Sequence, residues 1–183
     1  MASPRLPWFA SPRGLVIGGR TYYYAILMYE GGEEECYRRG DAPPLYSWFS
    51  ALAADLKHDG VVVEADDGGV VDIDSALLGL SGSMSEAAMS GLLVSWNCLE
   101  ELTEALGTPL RFRGGLANGA YEYLFRGLNL PGFTHSGEHF IPRWTRRRLA
   151  KIHQVIRVGA SRVQRYAVGA GIAGSPPGAR WDS

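Results

Sequence analysis

The sequence predicts an α+β protein in which an antiparallel sheet, formed by the first 75 residues, is packed by about three helices. Three observations predict this class. β-branched and aromatic runs alternate with Gly-Gly turns near the N-terminus, apolar stripes at helical spacing follow, and the 183 residues are 46% hydrophobic, as in a globular chain. We therefore predict a single α+β domain over residues 1–168, followed by a flexible Gly/Pro-rich tail at 169–183.

Residues 14–38 have the pattern of an antiparallel meander. Leu15–Ile17 is a short β-branched run, and Thr21–Tyr29 is rich in the aromatic and β-branched residues that favour strands. Gly18-Gly19 and Gly31-Gly32 can adopt the positive φ angles of tight turns. The N-terminal part of the sheet is therefore expected to be a set of short strands joined by close turns.

Residues 61–74 have the alternation of a β-hairpin. If Asp67–Gly69 forms a three-residue loop, Val63 faces Ile73, and the apolar side chains fill one face of the hairpin. A one-residue slip would exchange the faces, so the clean separation of apolar and acidic residues favours this register. The opposite face then carries four carboxylates: Glu64, Asp66, Asp72 and Asp74.

Two amphipathic helices are predicted, over residues 44–58 and 84–106. Asp41 is a suitable N-cap for the first, and Ser83 with Glu86 forms a capping box for the second. Apolar residues recur at the 3–4 spacing of one buried face in each helix. The positions expected to be buried are Leu45, Trp48, Phe49, Leu52 and Leu56 in the first helix, and Ala88, Met89, Leu92, Trp96, Leu99 and Leu106 in the second.

The last predicted helix covers residues 142–167, and its two sides differ in chemistry. One side is an apolar stripe: Leu149, Ile152, Ile156, Ala160, Val163 and Ala167. The opposite arc is basic. Before this helix, residues 120–128 fit either a helix or a strand, and residues 130–141 are predicted to be an ordered loop.

Charge is distributed unevenly along the chain. The total of 18 basic and 19 acidic side chains is nearly neutral, but residues 1–110 hold 6 basic and 16 acidic groups, whereas residues 111–183 hold 12 and 3. Such asymmetry is typical of proteins that bind a charged partner. The two blocks could also neutralise each other within one fold, or head to tail between copies of the chain.

We therefore predict a small non-enzymatic protein, with no cofactor, that binds another macromolecule through a charged face. The expected partner is another protein, as in a bacterial immunity or antitoxin-like module or an assembly module, or a second copy of the chain. The predicted partner-binding residues are Arg146, Arg147, Arg148, Lys151, Arg157, Arg162 and Arg165 on the basic helix, and Glu64, Asp66, Asp72 and Asp74 on the acidic face.

Nucleic acid is the alternative partner. The arginines of the last helix could follow a phosphate backbone, and Trp144 and Tyr166 could stack on single-stranded bases. The chain lacks the spacing of a helix-turn-helix or a zinc finger.

A second alternative is an enzyme or metal site around His135, Glu138 and His139, which match H-x-x-E-H. That zinc chemistry needs both histidines on one helical face and a third ligand, but Gly137 interrupts the motif and Asp182 is the only later acid. The acidic hairpin face could bind a hard cation but does not match a calcium loop. We therefore predict no catalytic or metal-binding residue.

Three further features predict a cytoplasmic protein. Cys36 and Cys98 suit a reducing compartment as unbridged thiols. The chain has no apolar run of 18 residues, so no membrane span is expected. The first 14 residues lack the apolar core of a secretory signal.

Overall fold

The computed structural model describes residues 6–64, 69–112, 115–129, 140–170 and 172. Within these ranges the chain forms an α+β fold with an open four-stranded sheet, mixed but mostly antiparallel, and five helices. The predicted α+β class is therefore confirmed. The elements are β1 (Phe9–Ile17), β2 (Arg20–Met28), β3 (Glu34–Cys36), α1 (Phe49–His58), β4 (Val70–Asp72), α2 (Ile73–Leu78), α3 (Glu86–Ala105), α4 (Gly115–Gly127) and α5 (Arg146–Ala170).

The chain divides into two compact units. Unit 1 contains the described residues up to Val71 together with those from Arg165 onward. Unit 2 contains the described residues between Asp72 and Gln164. The helix α5 contributes its first part to unit 2 and its last residues to unit 1.

The sheet of unit 1 is built around a long hairpin. β1 and β2 pair antiparallel from Phe9↔Met28 to Ile17↔Arg20, and β3 continues the meander beside β2, with order β3-β2-β1-β4. The hairpin turn is Gly18-Gly19, with φ angles of 60° and 71°. These angles favour glycine, since a Cβ is strained there, so the predicted turn and meander are confirmed.

The predicted hairpin over residues 61–74 is wrong in its pairing. Ala10 forms a parallel bridge with Val63, and the Gly14 amide donates to the Gly69 carbonyl at 3.2 Å. Both segments therefore lie along β1, in the same direction as β1, rather than against each other. The strand β4 ends at Asp72 because its carboxylate caps α2, which places Ile73 in a helix instead of a strand.

The helix α1 begins at Phe49, five residues later than predicted. Tyr46 explains the difference, because its amide donates to the Tyr23 carbonyl at 3.0 Å and its carbonyl accepts from the Tyr23 amide at 2.8 Å. This strand-like exchange is incompatible with a helical turn at residue 46. Trp48 is consequently extended and 58% exposed, not buried as predicted. A core cluster includes Ala10, Ala25, Tyr37, Tyr46, Leu52 and Leu56.

Unit 2 is helical. The helix α3 follows the prediction closely, although its N-cap is Ser85, which accepts from the Ala88 amide at 3.2 Å, and not Ser83. Its C-terminus is followed by Gly107 at φ 70°. Residues 115–127, part of which fitted either helix or strand, form α4.

The helix α5 begins at Arg146 and not at residue 142, because Thr145 caps it: the Arg148 amide donates to the Thr145 hydroxyl at 3.3 Å. The predicted apolar stripe is buried from Ile152 to Ala167, while Leu149 is half-buried. Val155 is also buried. Within the described residues, no helix is long and apolar enough to cross a membrane.

Candidate functional site

Arg162 on α5 is part of the internal structure of unit 2. Its Nη1 donates to the carbonyl oxygens of Thr108 and Pro109 at 2.7 and 2.6 Å. These carbonyls belong to the segment that follows α3, where backbone acceptors have no helical partner. Arg162 therefore already has a structural role in unit 2, which limits its availability as a partner-binding residue.

Arg148 and Lys151 lie over aromatic rings of unit 2. The guanidinium carbon of Arg148 is 3.7 Å from the Tyr123 ring centroid, and the Lys151 ammonium is 5.4 Å from that of Phe112. Lys151 also donates to Gln154 at 2.8 Å. Both cations are within the range of cation–π attraction. Their side chains therefore already make favourable contacts within unit 2.

Trp144 belongs to the same aromatic cluster. Tyr123 makes edge-on contacts with Trp144 and Phe140, at centroid distances of 5.8 and 5.4 Å, and Arg126 lies 4.6 Å from the centre of the Phe140 ring. The other predicted stacking residue, Tyr166, is in unit 1, where its hydroxyl donates to the Pro43 carbonyl at 3.1 Å. Burial raises the pKa of this hydroxyl.

Arg146, Arg147 and Arg157 form the outward basic face of α5. All three are exposed, and in the part of the chain that the structure describes their side chains have no hydrogen bond or ion pair. Arg146 and Arg157 are eleven residues apart, which places them on nearly the same side of the helix and about 16 Å apart along it. The exposed His153 lies between them. Arg165 is exposed in unit 1 and makes interactions of its own.

The predicted acidic face is not a single strand face. Asp72 accepts from the Ser75 amide at 2.9 Å and from its hydroxyl at 2.7 Å, and Asp74 lies in the first turn of α2. Glu64 is exposed in unit 1, and Asp66 lies outside the described residues. The carboxylates of Asp72 and Asp74 thus stabilise a helix N-terminus, where acidic groups are favourable.

Metal ligation has no support in the described ranges, since these contain no group of three His, Cys, Asp or Glu residues able to hold an ion. His135, Glu138 and His139 lie outside the described residues, so the H-x-x-E-H hypothesis stays untested. Cys36 and Cys98 are both buried as thiols.

Replacing Asp72 with alanine should lower the urea midpoint of unfolding at neutral pH, because α2 loses its N-cap. The hydrogen bonds from the amide and then the hydroxyl of Ser75 lower the pKa of the Asp72 carboxyl. Such a group stabilises the fold above its unfolded pKa of about 3.9 and loses that contribution as the pH falls through its folded pKa. The midpoint difference between the two proteins should therefore shrink in urea titrations from about pH 7 to about pH 3. A constant difference would exclude a role for the charge.

Sequence reasoning missed a polar network in unit 1. The Tyr37 hydroxyl donates to Asp59 at 2.5 Å, and the Tyr46 hydroxyl donates to Asp55 at 2.7 Å. Arg39 joins the two halves: its guanidinium lies 2.9 Å from Asp55 and 3.6 Å from Asp59, and its Nε donates to Tyr37 at 3.2 Å. The network links the segment after β3 to α1.

The electrostatics of this network keep both tyrosines neutral. Burial first, and then the hydrogen bond to Asp55, raises the pKa of Tyr46. The same two causes, with Asp59 as the acceptor, raise the pKa of Tyr37. The only sequence signal was the i, i+4 spacing of Asp55 on α1 and Asp59, the C-cap of that helix.

A groove in unit 2 was also missed. Two cavities, of about 650 and 390 Å³, share Glu100, Phe112 and Asn118 in their walls. Glu104 and Arg111 line the larger cavity. The groove lies between α3, α4 and the segment that follows α3, so carboxylates from two helices face one concave surface.

The smaller cavity is walled by aromatic side chains. Trp96 and Tyr121 meet edge-on with ring centroids 5.6 Å apart, and the Tyr121 hydroxyl donates to the Asn97 side chain at 3.0 Å. Glu122 completes this wall from α4. Sequence alone could not show this site, because its members come from three separate segments of the chain.

Comparison with known proteins gives little to add to this geometry. No family model matches the chain, and no curated protein matches it. Among solved structures, the chain is similar to the C-terminal domain of SatS, in a crystal structure of its complex with bromine, at a TM-score of 0.45 and 14% identity. That alignment covers 85% of this chain and 91% of the SatS chain. A likeness this distant says nothing about function.

Proposed function

We propose that this protein is a non-enzymatic binding module that presents the outward basic face of α5, formed by Arg146, Arg147 and Arg157, to an acidic surface of another protein. One observation carries the proposal. Arg148, Lys151 and Arg162 are engaged inside unit 2, whereas the three outward arginines are exposed and have no partner in the described chain.

The chemistry of the face suits a protein carboxylate surface. Arginine offers a planar fork that binds a carboxylate through two parallel hydrogen bonds, and it holds its charge at any physiological pH. The rigid helix fixes the spacing of the guanidinium groups, which lowers the entropic cost of ordering them on a partner. Complementary charge also accelerates encounter between the two proteins.

The contacts of the polar network in unit 1 are internal to that unit. Both of its tyrosine hydroxyls donate to aspartates, and its arginine lies between the same two aspartates. These groups satisfy one another's hydrogen bonds and link α1 to the segment after β3.

Replacing Arg146, Arg147 and Arg157 with glutamine should weaken binding to an acidic partner by about tenfold or more, at about 0.5–1 kcal/mol per exposed charge contact. The probe is a fluorescein-labelled helical peptide with glutamates at positions 1, 2 and 12, the spacing of residues 146, 147 and 157. Fluorescence anisotropy measures its affinity at about 50 and 200 mM salt, since screening should weaken the contact.

The matched control replaces three exposed cations of unit 1, Arg20, Arg38 and Lys57, with glutamine, which changes the net charge equally. This control should lose about threefold or less, because it alters only the long-range field. Equal losses in the two triple variants would contradict the proposal, since the effect would then come from net charge alone.

Nucleic acid is the second candidate, favoured by the same exposed arginines. Mixed-sequence single- and double-stranded DNA and RNA are therefore titrated beside the peptide. A nucleic-acid ligand that binds more tightly than the peptide, with a salt slope that the arginine variant flattens, would replace the protein partner. The contacts of Trp144 and Tyr166 within their own units favour the protein partner, because both side chains already have neighbours.

A further inference from the structure

We infer that the groove of unit 2 is a second binding site, which takes an arginine-bearing peptide segment of a partner. This surface is separate in residues from the basic face of α5 and has the opposite charge, so it does not depend on the function proposed above. The inference rests on the shape of the groove, on its carboxylates and on its aromatic walls.

The groove walls hold three carboxylates and one cationic side chain, and the Lys151 ammonium lies 5.4 Å from the centroid of Phe112, which lines both cavities. Glu100 and Glu104 lie one turn apart on α3, and Glu122 lies on α4. All three are exposed, and in the described ranges none of them forms an ion pair. Arg111 is the cation in the wall of the larger cavity. The side chains that line the groove therefore carry a net negative charge, which attracts a cation.

The aromatic walls select an organic cation over a metal ion. A guanidinium can stack on an indole or phenyl ring while its N–H groups donate to carboxylates. Phe112 already shows this chemistry, because the Lys151 ammonium of the same chain lies 5.4 Å from its centroid. The Tyr121 hydroxyl, held by Asn97 at 3.0 Å, fixes a further ring in place.

The groove consists of two adjoining cavities, which favours a peptide over a single small cation. Its two cavities, of about 650 and 390 Å³, share Glu100, Phe112 and Asn118, so they lie side by side. In an extended peptide, side chains two residues apart point to the same side at about 6.6 Å spacing. Two arginines in an Arg-x-Arg segment can therefore enter the two cavities together.

The test is a titration of the full chain with fluorescein-labelled acetyl-Ala-Arg-Ala-Arg-Ala-amide, followed by anisotropy. The matched probe replaces both arginines with citrulline, which keeps the shape and removes the charge. The arginine peptide should bind about five- to thirtyfold more tightly than the citrulline peptide, because two charged contacts are lost.

Two variant pairs locate the site. Glu100→Gln with Glu104→Gln should weaken the arginine peptide about five- to tenfold, at two exposed charge contacts. Glu64→Gln with Glu86→Gln removes the same charge from exposed positions outside the groove and should change the affinity about twofold or less.

A ring substitution separates the groove from a diffuse acidic surface. Phe112→Leu should weaken the peptide by about two- to fivefold through loss of the cation–π contact. The inference is overturned if the peptide does not bind at about 1 mM, the range of weak binding, if citrulline binds equally well, or if the two glutamine pairs lose equally. Circular dichroism spectra of each variant confirm that the comparison is between folded proteins.

Discussion

Replacing Asp55 with alanine should lower the free energy of unfolding by about 2–3 kcal/mol, because it leaves a buried hydroxyl without its acceptor. Tyr46 is 1% exposed and donates to Asp55 at 2.7 Å, so the variant leaves the Tyr46 hydroxyl without this acceptor. Arg39 also loses the nearer of its two aspartates, at 2.9 Å. Urea titration followed by circular dichroism measures the loss.

A double-mutant cycle with Tyr46→Phe tests the cause of this loss. Removing both partners eliminates the unsatisfied hydroxyl, so the double variant should be less destabilised than the sum of the two single variants by about 1 kcal/mol. Strict additivity would show that the hydrogen bond contributes nothing and that Asp55 acts only through Arg39.

Replacing Gly159 with alanine should destabilise the protein by about 1–2 kcal/mol, although alanine normally stabilises a helix. A Cβ at residue 159 would lie 3.0 Å from the Leu99 Cβ and 3.1 Å from the Leu110 Cδ1. The Leu99 atom is close to its backbone and cannot rotate away, so the two helices must separate or distort.

Gly119→Ala is the matched control for Gly159→Ala, because Gly119 lies within α4 and no atom approaches its added Cβ within 4 Å. This substitution should stabilise the protein by about 0.5–1 kcal/mol through helix propensity alone. Opposite signs in parallel thermal melts are the expected result, and the same sign for both would show that α5 does not pack closely on Leu99.

The parts of the fold that the sequence predicts correctly are helices and turns whose sequence patterns lie within the element itself. Gly18-Gly19 fixes the β1–β2 turn, and the apolar stripe of α3 is long enough to identify a helix. The hairpin at 61–74 failed because alternation over so few residues fits a strand end as well as a helix start. The cap that Asp72 forms with Ser75 decided between them.

The candidate sites were less predictable, because they depend on contacts between distant segments. Residue spacing identified α5 as a basic helix, but it could not show which arginines are engaged within the unit. Arg148 lies 3.7 Å from the centre of the Tyr123 ring, whereas the neighbouring Arg147 is exposed. The pairing of Tyr37 with Asp59 spans 22 residues and joins two segments outside the helices and strands, where no periodicity exists to predict it. Such pairs are set by how helices and strands pack, which residue type alone does not specify.

The edge strands of the sheet affect the tendency of this protein to aggregate at high concentration. An open sheet exposes unpaired N–H and C=O groups, which can recruit a strand from another molecule and begin a fibril. Here both outer strands, β3 and β4, are three residues long, and β3 carries the exposed Glu34 and Glu35. Outer strands this short offer a poor template, which disfavours edge-to-edge aggregation.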